Sequence, residues 1–146
     1  MNILFICTGN TCRSPMAEGI FNTFIKEGSK LKNIKISSAG LMANNGDSVS
    51  ENAVIACKEY GADISAHKSQ QITPEMLNNT DLFVCMTMSH AQALISGNVP
   101  KNSIYILNVS DPYGGSLETY KECCRQIYDQ LLILAELLER KYGNAI

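Results

Sequence analysis

Tryptophan is absent from the 146 residues, arginine is confined to positions 13, 125 and 140, and no run of consecutive apolar residues exceeds five. A bilayer-spanning helix needs about 20, so no membrane partner is expected. A basic excess is missing as well. Twelve Lys plus Arg stand against fourteen Asp plus Glu, a formal charge of -2, so nothing in the composition offers to neutralise a run of nucleic-acid phosphates. The start, Met1-Asn2-Ile3, carries no basic region or cleavage motif. A cytoplasmic location follows as the expectation, and with it six free cysteines in place of a disulfide framework. The sequence also contains neither G-x-x-x-x-G-K-[ST] nor G-x-G-x-x-G, so a nucleotide cofactor is not expected.

What is present is a globular composition, 45% hydrophobic and 18% charged, in a length that fits one domain spanning residues 1–146. Ile3-Leu4-Phe5-Ile6-Cys7 is an unbroken apolar run of the kind found in strands buried on both faces. After the loop at 8–13, Ser14-Pro15 reads as N-cap and first helical residue. Ala17, Ile20, Phe21, Phe24 and Ile25 then recur at helical spacing towards Gly28. Residues 34–37 read as a second strand ending at Ser38-Ala39-Gly40, and Ser48 with Glu51 has capping-box spacing before a helix through Ala53, Ile55, Ala56 and Tyr60. Thr73-Pro74 opens a short helix, 82–86 is a third strand, a helix starts near Ser89, and 104–107 is a fourth strand. From Ser116 onward, apolar residues from Leu117 to Leu138 and Tyr142 step by threes and fours along one long amphipathic helix. This alternation predicts a three-layer α/β domain: a four-stranded parallel sheet with helices on both faces and its ligand site beyond the strand ends.

That rule points to Cys7-Thr8-Gly9-Asn10-Thr11-Cys12-Arg13-Ser14, which joins the first strand to the first helix. A glycine-containing turn into a helix N-terminus aims several backbone N–H groups at one point and so cradles an anion. Arg13 adds a planar two-pronged donor for a tetrahedral oxyanion. The same dipoles and cation stabilise a thiolate, so the pattern also activates Cys7 as a nucleophile. Without its setting, Cys-x5-Arg is a loose pattern that a buried strand-end cysteine beside an incidental arginine would satisfy. The placement after a buried strand and before Ser-Pro is what favours function.

Cys7 to Glu18, reading C-T-G-N-T-C-R-S-P-M-A-E, together with Asp111-Pro112-Tyr113, resembles the low-molecular-weight protein tyrosine phosphatase family. Ser38-Ala39-Gly40, Ala66-His67-Lys68 and Asp81-Leu82 follow the family's order, so the likeness spans the chain. The resemblance implies a flavodoxin-like fold and a monomer acting on phosphorylated proteins without metal or cofactor. It also implies that Cys7 is the nucleophile and forms a phosphocysteine, that the amides of residues 8–13 (Thr8, Gly9, Asn10, Thr11, Cys12, Arg13) and the Arg13 guanidinium bind the phosphoryl oxygens, and that Asp111 is the general acid. Ser14 matches the hydroxyl that supports the thiolate, and Asn10, Ser38 and His67 match residues that brace the loop. Tyr113 matches the wall of the substrate cleft. Cys12 matches a second loop cysteine able to guard Cys7 as a reversible disulfide. Cys57, Cys85, Cys123 and Cys124 are expected to be packing residues, and His90 carries no motif and is assigned no role.

Within the family, the threonine at position 11 and D-P-[FY]-G-G-S at 111–116 resemble the bacterial protein arginine phosphatase branch more than the tyrosine-directed members, which carry an aliphatic residue at that place in the loop. A hydroxyl there suits a polar P–N linkage and removes an apolar contact suited to an aryl ring. Phosphoarginine is therefore the favoured substrate, with phosphotyrosine as the alternative. Thioredoxin-coupled arsenate reduction is disfavoured because Pro15 and Thr87 stand where that branch carries other residues and no cysteine occurs from 86 to 122. A non-catalytic phosphate-binding module is disfavoured because binding alone needs neither a thiol nor a carboxylate beside the anion.

Overall fold

A computed structural model describes residues 1–25 and 29–142. Strand β1 (Asn2–Cys7) leads into helix α1 (Arg13–Phe24), followed by β2 (Lys35–Gly40), α2 (Glu51–Lys58), α3 (Pro74–Asn79), β3 (Leu82–Cys85), α4 (Met88–Ser96), β4 (Ile104–Ile106) and α5 (Leu117–Tyr142). The four strands are all parallel in the order β2-β1-β3-β4. The order of strands reverses beside β1, and the crevice at such a reversal is where open α/β sheets bind ligands.

The apolar run in β1 is explained by its central place. Ile3, Phe5 and Cys7 face a core shared with α1, α2 and α5, whereas Leu4 and Ile6 face a smaller core under α3 and α4. Period-two alternation is thus present but hidden, because both faces are covered. On the larger side a line of rings ties the layers together: Phe5 to Phe21 at 5.8 Å, Phe21 to Phe24, Phe24 to Tyr128, and Tyr128 to Tyr60 at 4.7 Å between centroids. One face of α5 also serves that core along most of its length, with Tyr120, Cys124, Ile127, Leu131, Leu134 and Leu138 buried. No helix among the described residues is long and apolar enough to cross a membrane.

Several expected boundaries move. Strand β2 runs through Gly40, because Ser38, Ala39 and Gly40 remain paired with Phe5, Ile6 and Cys7. Ser48 does not cap α2. It bridges to Lys68, and Ser50 stands at the N-cap. Tyr60 lies beyond the end of α2, in the turn, and Ile55 is 41% exposed because it sits on the outer side of that helix. Thr73 caps α3 as expected, its hydroxyl accepting from the Met76 amide at 3.2 Å. The stop expected at Gly28 lies outside the described residues, as does the side chain of Tyr142.

The end of β2 sets the height of the Cys7 loop. The backbone amides of Leu41 and Met42 donate to the carbonyls of Cys7 and Thr8 at 3.0 and 2.9 Å. A Cβ on Gly40 would lie 2.5 Å from the Thr8 carbonyl oxygen and 3.1 Å from the Asn10 amide nitrogen. Gly40→Ala should therefore destabilise the fold by about 1–3 kcal/mol through overpacking against backbone that cannot swing away. Urea unfolding checks this, and a midpoint equal to that of the wild type would refute the backbone clash.

Candidate active site

Strand β1 carries Cys7 to the C-terminal end of the sheet, where the thiol is buried with 3% of the residue exposed. The chain then bends through Asn10 at φ 57°, a left-handed conformation that asparagine tolerates better than most residues. Helix α1 starts at Arg13 with Cys12 in the N-cap position and no side-chain cap bond, so its first-turn amides are left for a ligand. This corrects the expectation that Ser14 is the N-cap. The serine lies inside the first turn, and its hydroxyl is directed at Cys7 Sγ, 2.9 Å away.

The direction of that bond follows from its neighbours. Asn10 Nδ2, which can only donate, gives one hydrogen to Ser14 Oγ at 2.8 Å and the other to Ser38 Oγ at 3.0 Å. Ser14 already accepts, so its own proton is free to point at the sulfur. The Asn10 amide nitrogen donates to the same sulfur at 3.2 Å. Two donors thus converge on one sulfur.

The far side of Asn10 is equally full. Its Oδ1 accepts from the Gln70 amide at 2.9 Å and lies 3.2 Å from His67 Nε2, which is also 3.1 Å from the Asn10 carbonyl oxygen. Both partners can only accept, so Nε2 carries the His67 proton. Ser38 passes its own proton to Glu18 Oε1 at 2.5 Å, and Gln70 Nε2 holds the Ser38 carbonyl at 2.8 Å. Asn10, Ser38 and His67 are thus brought together as expected. Glu18 and Gln70 belong to the same network, although no spacing in the sequence singled out either.

Arg13 is 5% exposed, an unusual place for a guanidinium without a full set of partners. Nη1 donates to the Val109 carbonyl at 3.0 Å and Nη2 lies 3.7 Å from Asp111 Oδ2. These contacts fix the plane of the fork and leave donors facing the loop. Asp111 itself is half exposed, and its Oδ1 accepts from the Tyr113 amide at 3.0 Å, an Asx-type turn that aims the other oxygen inward. Gly114 takes φ 78° in that turn, and a Cβ on Gly115 would meet Thr119 and the Pro112 carbonyl within 2.9 Å. The two glycines serve turn geometry and close packing.

Cys7, Thr8, Gly9, Thr11, Cys12 and Arg13 line a pocket of about 240 Å³, with Asp111 and Tyr113 at its edge. Tyr113 is 79% exposed and stands over it as a wall, not as a packed loop residue. A roomier groove of about 520 Å³ at the opposite end of the sheet, between Lys35 and Glu75, is lined by no cysteine or arginine. The remaining thiols are chemically quiet. Burial pushes Cys85 and Cys123 up to about 12, and Cys57 is raised by its hydrogen bond with Cys124 and then by burial. Burial also raises Cys12, partly offset by the Thr11 hydroxyl.

One residue set aside at the sequence level touches the loop. His90 Nε2 lies 2.9 Å from Thr8 Oγ1 and its Nδ1 3.0 Å from Thr87 Oγ1. No motif could have announced it, because the contact joins residues 82 positions apart.

A family profile described as "Low molecular weight phosphotyrosine protein phosphatase" matches residues 2–144. A Bacillus subtilis protein named protein-arginine-phosphatase is 35% identical, over 96% of this chain and 98% of its own length. The Staphylococcus haemolyticus low molecular weight protein-tyrosine-phosphatase PtpB is 36% identical over 92% and 94%. Among solved structures, a YwlE arginine phosphatase variant with a phosphorylated active-site serine in place of cysteine superposes with a TM-score of 0.86 at 33% identity, covering 96% of this chain and 97% of its own.

Asn10→Ala should cost at least about 2 kcal/mol of stability, because it strands the hydroxyls of Ser14 and Ser38 and the Gln70 amide in the interior and leaves alanine in a left-handed turn. Ser38→Ala should cost about 1 kcal/mol. Denaturant titration of the two variants tests the order, and the reverse order would remove Asn10 from the centre of the network.

Proposed function

Because this chain belongs to the low molecular weight phosphotyrosine protein phosphatase family, whose members hydrolyse phosphorylated protein side chains through a phosphocysteine, we propose that Cys7, Arg13 and Asp111 perform that reaction here with phosphoarginine as the favoured substrate. The observation that carries the reading is the Cys7 sulfur at the pocket wall, with the Ser14 hydroxyl and the Asn10 amide both directed at it.

The Cys7 thiolate attacks phosphorus along the line of the scissile bond. The P–N electron pair leaves with the guanidine nitrogen as the S–P bond forms, and Asp111 gives that nitrogen its proton. The amides of residues 8–13 and the inward edge of the Arg13 guanidinium hold the three equatorial oxygens, where most of the stabilisation arises. Water then attacks the phosphocysteine, Asp111 takes up its proton, phosphate departs, and Ser14 and Asn10 hold the sulfur as a thiolate. Ser38 and His67 act through Asn10. Cys12, which lines the same pocket, is read as the redox guard of Cys7. One chain supplies every residue the steps use, which fits the reading of a monomeric, single-domain enzyme working on phosphorylated proteins in the cytoplasm.

Phosphoarginine is favoured by the two residues at the rim. Thr11 lines the pocket with its hydroxyl 3.8 Å from Cys12 Sγ, so it is available to a nitrogen substituent, and the half-exposed Asp111 carboxyl can hydrogen-bond the guanidino nitrogens and give the leaving one its proton. Proton donation is also more valuable there, because guanidine's conjugate acid has a pKa above about 12 against about 10 for a tyrosine phenol. The exposed ring of Tyr113 would serve a phosphotyrosine as well, and that substrate is the other arm of the test.

On matched phosphopeptides the wild type should show the higher kcat/KM for phosphoarginine, and Thr11→Ile should move the preference towards phosphotyrosine. An unchanged ratio would remove Thr11 as the selector. Cys7→Ser should abolish turnover of p-nitrophenyl phosphate while the protein still binds tungstate, whereas an inactive wild type would favour a binding module. Asp111→Asn should lower kcat for both peptides by about 10²–10⁴-fold, the usual contribution of a positioned acid, with the larger loss on the more basic leaving group.

A further inference from the structure

The hydrogen bonds around Asn10 have only one possible polarity, because amide N–H groups and carbonyl oxygens anchor them. The chain on the other side of the loop has no such anchor. It runs from Thr8 Oγ1 to His90 Nε2 at 2.9 Å, from His90 Nδ1 to Thr87 Oγ1 at 3.0 Å, and on to Ser89 Oγ at 2.9 Å. Each hydroxyl can donate or accept, and a neutral imidazole presents one donor and one acceptor in either order. Two proton arrangements are thus open. In one, Thr8 donates to Nε2 and its hydrogen is occupied. In the other, Nε2 donates to Thr8, and the Thr8 hydroxyl hydrogen is free for a new acceptor.

We propose that His90 is a positioning residue for the phosphate pocket, holding Thr8 through Nε2 and reversing that bond when an oxyanion enters, so that the Thr8 hydroxyl becomes a donor on the pocket side. Thr8 lines the pocket and is exposed, while His90 is 5% exposed and lies on α4 behind it. The ring therefore reaches the oxyanion only through Thr8. The charged groups that act on the ring are Arg13 from α1 and Asp111 from the loop after β4. Burial, and then the Arg13 charge, hold His90 below its ordinary range, with Asp111 opposing, so the empty pocket contains a neutral ring near pH 7. A dianion on Arg13 offsets the second of these effects. Oxyanion binding should then both place the ring proton on Nε2 and raise the pH at which the second proton is taken from solvent.

The inference rests on the phosphatase reading of the pocket, and the test separates the two. Histidine ¹⁵N spectra of the whole protein are recorded from pH 5 to 8 with and without saturating tungstate, the His90 signals being those that vanish in His90→Gln. The expected result is a proton on Nε2 and a titration midpoint shifted upward in the tungstate complex. Tungstate binding that leaves both the tautomer and the midpoint of His90 unchanged overturns this inference alone, whereas failure of the wild type to bind tungstate overturns the phosphatase reading with it. Kinetics give a second readout. Asparagine reproduces the position of Nδ1 and glutamine that of Nε2, so His90→Asn keeps the Thr87 contact and His90→Gln keeps the Thr8 contact. His90→Asn should weaken tungstate inhibition and lower kcat/KM by about fivefold, on the scale of one neutral hydrogen bond, and His90→Gln should recover most of that loss. Equal losses in the two variants would mean that His90 only fills space, and would overturn the proposal.

Discussion

The site depends on one carboxamide. Asn10 is wholly buried in a left-handed turn and spends both amide hydrogens and its oxygen on partners drawn from three separate segments: Ser14 on α1, Ser38 on β2, and His67 with Gln70 in the stretch before α3. A buried polar network of this kind is stable only when each member is satisfied, and here no buried side-chain nitrogen or oxygen among the described residues lacks a partner. The fixed polarity is what matters for chemistry. Because Asn10 donates to Ser14, Ser14 donates to sulfur, and the loop aims its donors at that atom before any substrate arrives.

Electrostatics divide along the same line. The guanidinium of Arg13 has its plane set by the Val109 carbonyl and lines the pocket, so it represents a standing demand for an anion there. The thiols away from the loop are held protonated by burial or by each other, so they do not compete with Cys7 for electrophiles. Six cysteines therefore do not make six reactive groups. The fold concentrates stabilisation of charge in one turn and withholds it elsewhere.

Much of this was legible from the sequence because the relevant signals are local. The run Ile3 to Cys7, the glycine turn and Arg13 lie within eleven consecutive positions, and the long stripe from Leu117 to Leu138 needs only the period of a helix. Ser14 was misplaced as a cap because Ser-Pro is a common helix start, and a competing buried acceptor cannot be seen in one dimension. Ser48 with Glu51 misled in the same way, since capping-box spacing occurs without the box when a strand bridge claims the serine. Glu18, Gln70, Val109 and His90 were out of reach for a different reason. Each meets its partner across a gap that only the sheet order closes.

On the proposed reading, chemistry and selectivity rest on different side chains. Asn10 and Ser14 are buried and joined by a hydrogen bond, so that changing one strands the other, and Arg13 is buried against the Val109 carbonyl. Thr11 is half-buried, and its hydroxyl lies at 3.8 Å from the Cys12 sulfur, while Tyr113 projects into solvent from a turn held by Asp111 and glycines. In evolutionary terms the two sets have unequal freedom. Descendants of such a chain can replace the residues at 11 and 113 without unpicking the phosphoryl-transfer apparatus, so one ancestral hydrolase could radiate towards new phosphorylated side chains through single codon changes while its core reaction stayed fixed.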